Sequence, residues 1–401
     1  MIRQDEIAKI VDSQKEDLLN ESSIIIREDH TKIIDLESFA TIVTGIRRCG
    51  KSTLLQQLIR QKYSASFFLN FEDIRLSGFE VSDFSRLYEE IKKRAIPVLF
   101  FDEPQLAEKW EIFINQLLRE KFKVFITGSN ATLLSKELGT HLTGRNLSFE
   151  LYPFSYNEFL TFKELERNPD SLGSYLDKGG MPEYLKSGRG MVLNHLIDDI
   201  LIKDISIRHS IRDIRPLRQL TVYLLSNTGN LVSASNLTGM FGIKSATTFL
   251  EYFSYLQDVC LIELIPQFSW SLKSQARNPK KIYIKDTGFI TEAANIFTDN
   301  TGSRFENLVF LHLRRKYNEI YYFKEKQECD FVVFNRGKAI EIVQACYHID
   351  DLNFDREYSG LVHALKFFNL TEGKIITLNQ KDTFKKEGLT VNMIPAHEFF
   401  I

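Results

Sequence analysis

The chain has 401 residues, of which 43% are hydrophobic and 26% are charged, and its formal net charge at pH 7 is −2. This length predicts about two to four domains, with enough apolar residues for their cores. The small net charge excludes binding of nucleic acid through a global basic field, so any such contact has to be local. The four cysteines show no C-x-x-C spacing, which argues against a zinc site or a disulfide framework.

The amino-terminal segment helps to predict the cellular compartment of the protein. It lacks the apolar core of a signal peptide, and no apolar run in the chain is long enough to span a bilayer. With the unpaired cysteines, this predicts a cytoplasmic protein without a membrane partner. Residues 4–19 have helical spacing, and the sequence leaves open whether this helix docks on the adjacent domain or on a partner.

Residues 45–52 read GIRRCGKS, the G-x-x-x-x-G-K-[ST] phosphate loop, between an apolar run of strand type and a segment with helical spacing. Such a strand–loop–helix unit directs backbone N–H groups and a helix N-terminus at one point, which suits a polyphosphate. We expect Lys51 to reach the β- and γ-phosphates of ATP and Ser52 to hold Mg²⁺. The predicted ATP site comprises Gly45, Ile46, Arg47, Arg48, Cys49, Gly50, Lys51, Ser52, Thr53 and Asp102.

A second acidic motif follows a buried strand. Residues 98–101 are four consecutive apolar residues, as in a strand buried on both faces of a parallel sheet, and Asp102 and Glu103 come next. This is the Walker B pattern, in which Asp102 binds Mg²⁺ through water and Glu103 is the general base that polarises the attacking water. The alternative is a core strand that ends in surface acids.

Two further polar residues are candidates for the catalytic site. A predicted strand at residues 123–127 leads to Asn130, whose amide is expected to orient the water beside the γ-phosphate. Arg145 precedes a fifth strand and is a candidate arginine finger for a neighbouring subunit, which predicts a homo-oligomer. The alternative for Arg145 is a surface salt bridge.

The order of these motifs resembles that of the AAA-type ATPases. The sequences of the motifs are similar to those of a prokaryotic group that joins an AAA-type ATPase to a C-terminal domain of unknown function with a nuclease-like fold. The resemblance covers nearly the whole chain, and DEPQ departs from the DE[IV]Q that is usual there. It implies an α/β P-loop NTPase with a parallel sheet and helices on both faces. The motifs are TGIRRCGKS at 44–52, NFED at 70–73, DEPQ at 102–105, TGSN at 127–130, LTGR at 142–145 and LYPFS at 151–155.

The middle of the chain predicts a helical lid and then a winged helix. The tight-turn signal at residues 179–183 also matches a lid segment of that group. Residues 217–265 predict three helices and a strand, and residues 281–284 a second strand, which together suggest a winged helix. Its third helix has few residues that could bind phosphate, so the sequence does not decide between DNA and a protein as the partner. The third helix carries Lys244, Thr247, Thr248 and Glu251, and a basic wing carries Lys273, Arg277, Lys280 and Lys281.

The last hundred residues have the helix and strand order of the PD-(D/E)xK nucleases. That chemistry needs three acids that bind Mg²⁺ and a lysine two residues after the last of them. Glu306, Asp330 and Glu341 fill the acidic positions, but Val343 occupies the position of the lysine. Gln344 faces away from Glu341 by strand alternation, unless a bulge turns it back. The sequence therefore favours a non-catalytic or DNA-docking domain over metal-dependent cleavage.

Four domains are predicted: an ATPase (1–160), a lid or linker (161–215), a winged-helix-like domain (216–290) and a nuclease-like domain (291–401). The leading hypothesis is an Mg-ATP-hydrolysing protein whose nucleotide state controls the C-terminal modules, with DNA as one candidate partner. One alternative is a nucleotide-gated protein-binding switch with little turnover. Another is an ATP-dependent nuclease.

Overall fold

The computed structural model describes residues 1–20, 25–28, 33–34, 36–129, 145–293 and 300–401. These residues form two compact units. One unit comprises Met1–Tyr152 and Asp258–Cys260, and the other comprises Pro153–Gln257 and Leu261–Ile401. Within these ranges, no helix has the length and apolar character needed to cross a membrane.

The first unit is built on a parallel sheet of five strands in the order β2-β3-β4-β1-β5. Strand β1, which leads into the phosphate loop, lies between β4 and β5, and β4 separates it from the strand of the second acidic motif. This is the parallel α/β sheet of a P-loop NTPase. The strands are β1 (Ala40–Thr44), β2 (Phe67–Asn70), β3 (Val98–Asp102), β4 (Lys123–Thr127) and β5 (Asn146–Glu150).

Four helices of this unit lie in the described ranges: α1 (Gln4–Asn20), α2 (Lys51–Gln61), α3 (Asp83–Arg94) and α4 (Trp110–Arg119). Helix α1 buries Ile7, Ile10 and Val11, spaced on one helix face, in the apolar core of the unit. The amino-terminal helix therefore docks on the ATPase unit, which settles the alternative that the sequence left open.

The second unit begins with short helices around a glycine pair. Gly180 donates its backbone N–H to Asp286 Oδ2 at 2.6 Å, and a Cβ on Gly180 would lie 2.2 Å from the carbonyl oxygen of Phe154. The turn predicted at 179–183 thus requires glycine for close packing. The elements are α5 (Tyr156–Lys163), α6 (Pro169–Lys178), α7 (Pro182–Ser187), α8 (Met191–Asp199), a π-helical segment (Ile200–Ser206) and α9 (Ile207–His209).

Five α-helices and a small antiparallel sheet of three strands follow in the described residues. The sheet has the order β6-β8-β7, and the strand predicted at 259–265 begins only at Ile262, after Cys260 takes a positive φ of 56°. The elements are α10 (Arg215–Ser226), β6 (Leu231–Val232), α11 (Ala234–Leu237), α12 (Ala246–Asp258), β7 (Ile262–Ile265), α13 (Leu272–Arg277), β8 (Lys280–Ile284) and α14 (Thr287–Ala293).

The C-terminal part is a mixed sheet of six strands in the order β13-β14-β12-β11-β10-β9. Leu361 and Leu365 of the long helix α16 pack in its apolar core. A hairpin turn at residues 335–338 joins β10 to β11, with positive φ at Arg336 and Gly337. The elements are α15 (Thr301–Arg314), β9 (Glu319–Lys324), β10 (Glu328–Asn335), β11 (Lys338–Ala345), α16 (Phe354–Phe368), β12 (Glu372–Thr377), β13 (Asp382–Lys386), β14 (Leu389–Pro395) and α17 (Ala396–Phe399).

Candidate nucleotide-binding site

The phosphate loop joins β1 to α2 through two glycines with positive φ. Gly45 has φ 141°, and a Cβ there would lie 2.2 Å from the carbonyl oxygen of Leu151. Gly50 has φ 103° and precedes α2 without a side-chain cap. The first N–H groups of α2 therefore have no capping side chain, which leaves them available to an anion.

Lys51 is folded into this loop. Its side chain is buried, and Nζ donates to the carbonyl oxygens of Gly45 at 3.1 Å and Ile46 at 3.2 Å. Neutral carbonyl groups hold the ammonium without cancelling its charge. Lys51 is thus placed to exchange these bonds for phosphate oxygens.

Asp102 lies at the carboxyl end of β3 and is almost fully buried, which rules out the alternative of a surface acid. Burial raises the pKa of Asp102 to about 6, and the charge of Glu103 adds to this effect. Hydroxyl groups of Thr127 and Ser52 donate to the carboxylate and oppose the rise in its pKa. Strand β4 is the neighbour of β3, which brings Thr127 beside Asp102. Thr127 was not predicted as a site residue, because its contact with Asp102 depends on the order of the strands.

Glu103 follows in the left-handed region, with φ 52°. Its backbone N–H donates to Thr127 Oγ1 at 3.1 Å, and the Gln105 amide donates to its Oε2. The carboxylate is held by one neutral amide and remains partly exposed.

Arg27 supports the loop and was not predicted. Its side chain is 1% exposed, and its guanidinium donates to the carbonyl oxygens of Cys49 at 2.8 Å and Tyr152 at 2.5 Å. Its backbone N–H donates to Gln57 Oε1 of α2 at 3.0 Å. Arg27 therefore fixes the last turn of the loop against both α2 and the end of β5. A single arginine before a strand gives no sequence signal for such a role.

A cavity of about 560 Å³ opens beside Ser52 and Asp102. Gln14 of α1 borders it, accepts the Asn70 backbone N–H at 2.8 Å and donates to Asp73 Oδ2 at 2.9 Å. The hydroxyl of Ser52 and the carboxylate of Asp102 are hard oxygen donors, the type that Mg²⁺ prefers. The residues present therefore fit a magnesium ion bound with a nucleotide.

Asn130 and Arg145 were also predicted as site residues. Asn130 lies outside the described residues. Arg145 is exposed directly before β5, and its carbonyl oxygen accepts the backbone N–H of Ala40 at 3.0 Å. Its role as an arginine finger stays a prediction.

The second acidic site is organised around a lysine. Lys281 Nζ lies 2.8 Å from Asp330 Oδ1, 3.2 Å from Glu306 Oε1 and 3.1 Å from Glu328 Oε1. The Lys281 side chain is only 5% exposed. We call these four residues the Lys281 cluster. The sequence placed Lys281 in an exposed basic wing, and this placement is wrong, because its ammonium is buried among carboxylates.

Glu341 does not join Glu306 and Asp330 in this cluster. It pairs with Lys374 of β12, with Nζ 2.6 Å from Oε1. Gln344 instead lies beside Asp330, whose backbone N–H donates to Gln344 Oε1 at 3.1 Å. Among the described residues, no group of three or more His, Cys, Asp or Glu side chains is arranged to hold a metal ion. The three acids predicted as a second metal site are thus divided between two ion-pair systems.

Comparisons with known proteins agree with the geometry of the first unit. The family model of an AAA domain matches residues 37–160, and that of a domain of unknown function, DUF8612, matches residues 169–300. An uncharacterized protein of Methanocaldococcus jannaschii is 32% identical over 91% of this chain and 87% of its own length. An uncharacterized protein of Haemophilus influenzae is 30% identical over 83% of this chain and 91% of its own length.

The solved structures add a weak likeness. The S. cerevisiae Hsp104:casein complex in its extended conformation is 12% identical, with a TM-score of 0.29 over 65% of this chain and 58% of that chain. Such a score carries no argument about fold or function.

Proposed function

The chain belongs to the same family as these archaeal and bacterial proteins, which has an AAA domain, and we propose that it binds and hydrolyses Mg-ATP. The observation that carries the proposal is the convergence of Lys51, Ser52 and Asp102 at one end of the parallel sheet. The motif residues from Gly45 to Thr53 form the proposed phosphate site.

Different residues of the chain are proposed to hold the phosphates, the magnesium ion and the attacking water. Lys51 and the N–H groups of α2 hold the phosphates, and Ser52 and Asp102 hold the magnesium ion, which supplies charge stabilisation to the phosphoryl oxygens. Glu103 receives the proton of the attacking water, and the Gln105 amide orients its carboxylate. Asn130 and Arg145 are proposed to assist as water-orienting residue and arginine finger, the latter in a homo-oligomer.

The test of nucleotide binding is Lys51→Ala. We expect loss of ATP binding, measured by calorimetry with Mg²⁺ present, because the ammonium that contacts the phosphates is removed. Lys93→Ala removes an exposed lysine from α3 and serves as the matched control, for which binding should be unchanged. Equal ATP affinity of Lys51→Ala and wild type would contradict the proposal.

We propose that the second unit carries a winged helix within residues 216–290 and a non-catalytic nuclease-like domain within 291–401. The helix order and the sheet order β6-β8-β7 support the first assignment. The second rests on the helix and strand order together with the Lys281 ammonium, which is paired with the acids Glu306 and Asp330. Nucleotide state is proposed to control these modules in the cytoplasm. Cleavage of DNA in Mg²⁺ or Mn²⁺ that Asp330→Ala abolishes would contradict the non-catalytic assignment.

A further inference from the structure

The segment that connects β7 to β8 has an unusual composition. No acidic residue occurs from 264 to 285, although 53 of the 401 residues are acidic and about three would be expected in that length. Five basic residues lie in this stretch. Two of them, Lys281 and Lys285, are buried in ion pairs. The exposed part, residues 269–280, is called the Trp270 segment below.

Two large apolar side chains stand out of this segment. Trp270 is 76% exposed and Leu272 is 79% exposed. Isolated exposed apolar residues are ordinary in proteins, but an exposed tryptophan two residues from an exposed leucine is a candidate contact surface.

The ring of Trp270 packs on an aromatic residue of the apolar core. Its ring packs edge-to-face on Phe268, with centroids 4.9 Å apart, and Phe268 stacks on Phe334 in the core of the six-stranded sheet. The backbone N–H of Phe268 donates to the carbonyl oxygen of Tyr322 in β9 at 2.7 Å. The exposed indole is therefore fixed to a rigid base, which lowers the entropic cost of stacking a ligand on it.

The Trp270 segment carries three cations. Lys273 and Arg277 lie four residues apart on α13, so both occur on one helix face, and Lys280 follows. None of the three forms an ion pair with any residue that the structure describes. Their charges are thus available to an anionic partner.

We propose that the Trp270 segment binds single-stranded nucleic acid, with a base stacked on Trp270 and phosphates at Lys273, Arg277 and Lys280. An exposed aromatic ring beside a row of cations without acids is the combination that holds unpaired bases. By contrast, the exposed side of helix α12 carries Leu250 and Glu251, which suit phosphates poorly. The inference rests on the proposed winged helix and assigns the contact to its wing instead of its third helix.

Tryptophan fluorescence gives a direct test because the chain has two tryptophans, and the other, Trp110, is 2% exposed. Full-length protein is titrated with a short oligo(dT), an oligo(rU) of equal length and a duplex of equal length. We expect quenching by one or both single strands and weaker binding of the duplex. The two single strands distinguish DNA from RNA as the source of the ligand.

Variants assign the site. Trp270→Ala should weaken single-strand binding roughly 5- to 150-fold by fluorescence anisotropy, and Trp270→Phe should recover part of that loss. Lys273→Glu with Arg277→Glu should reduce the slope of log affinity against log salt by about 1.4. The matched control is Arg336→Glu with Lys338→Glu in the exposed β10–β11 turn, which should change affinity less than about twofold.

Several results would overturn the inference. One is unchanged affinity in Trp270→Ala with native circular dichroism, and another is tighter binding of the duplex. A third is loss of a dimer in Trp270→Ala by light scattering, which would mean that a second copy of the chain occupies this surface. ATP hydrolysis is measured in the same preparations. Hydrolysis without nucleic-acid binding would reject this inference alone, and binding without hydrolysis would reject only the proposed ATPase function.

Discussion

The phosphate loop and the Lys281 cluster use the same kinds of residue with opposite results. Lys51 rests on two neutral carbonyl groups, and Asp102 rests on hydroxyl groups, so neither charge is cancelled by the other. Lys281 lies against three carboxylates, of which that of Asp330 is buried and those of Glu306 and Glu328 are partly buried. The first arrangement leaves charges for a ligand, whereas the second already holds its cation as part of the chain. What a lysine and an acid can do therefore depends on whether their charges are already paired.

The largest effect is expected for Lys281→Met, which tests whether the charges of the Lys281 cluster are already paired. Removal of the ammonium leaves buried carboxylates without a cation, which should lower the free energy of unfolding by about 3–5 kcal/mol. Urea unfolding at neutral pH measures this loss. The neighbouring Lys280→Met, half-exposed and outside the cluster, should cost less than about 0.5 kcal/mol. Equal stability of Lys281→Met and wild type would show that the cluster is not held by this lysine.

A smaller effect is expected at the buried arginine of the phosphate loop. Arg27→Met removes the donors to Cys49 and Tyr152, so the loop loses its fixed position. The affinity for ATP should then fall about 10-fold, which corresponds to the loss of one charge-assisted hydrogen bond. Arg27→Lys should recover part of the affinity, because one donor remains. Isothermal titration gives the affinity, and Arg119→Met, at an exposed position at the end of α4, is the control. A fall in thermal stability with unchanged ATP affinity would restrict Arg27 to a folding role.

The geometry of the phosphate loop and of the strand end at Asp102 could be predicted from the sequence because it is local. Consecutive residues determine both the turn of the phosphate loop and the strand end that carries Asp102, so the motif contains its own geometry. Thr127 and Arg27 were missed because their contacts depend on strand order and on a segment remote from the loop.

The second site was predicted less well for the same physical reason. Alternation along β11 correctly separated Glu341 from Gln344, since that rule is local. The partner of Asp330 and Glu306 is Lys281, a residue of another sheet, and nothing in its neighbourhood distinguishes it from a surface lysine. The fold of the C-terminal part could be predicted as a series of elements, but the charge balance within it could not.

The pH dependence of stability offers the finest test of the Lys281 cluster. Burial, with the charge of Asp330, raises the pKa of Glu306 to about 7. The folded chain then keeps a proton that the unfolded chain releases, so the free energy of unfolding contributed by Glu306 falls as pH rises from about 4.5 to about 7. Glu306→Gln keeps an acceptor for Lys281 and Tyr283 but removes this titration.

We therefore expect Glu306→Gln to gain stability relative to wild type between about pH 5 and pH 8, by on the order of 1–3 kcal/mol. Denaturant unfolding at several pH values gives the difference. Parallel pH profiles for the two proteins would mean that Glu306 is ionised throughout.

The most direct test of the central claim is the steady-state rate of ATP hydrolysis by the full-length protein beside Glu103→Gln. The account predicts hydrolysis by wild type, a rate at least about 100-fold lower in Glu103→Gln with ATP affinity retained, and an unchanged rate in the control Glu108→Gln on the exposed surface. A slow rate that Glu103→Gln leaves unaltered, with firm ATP binding, would contradict the account and favour a nucleotide-gated switch.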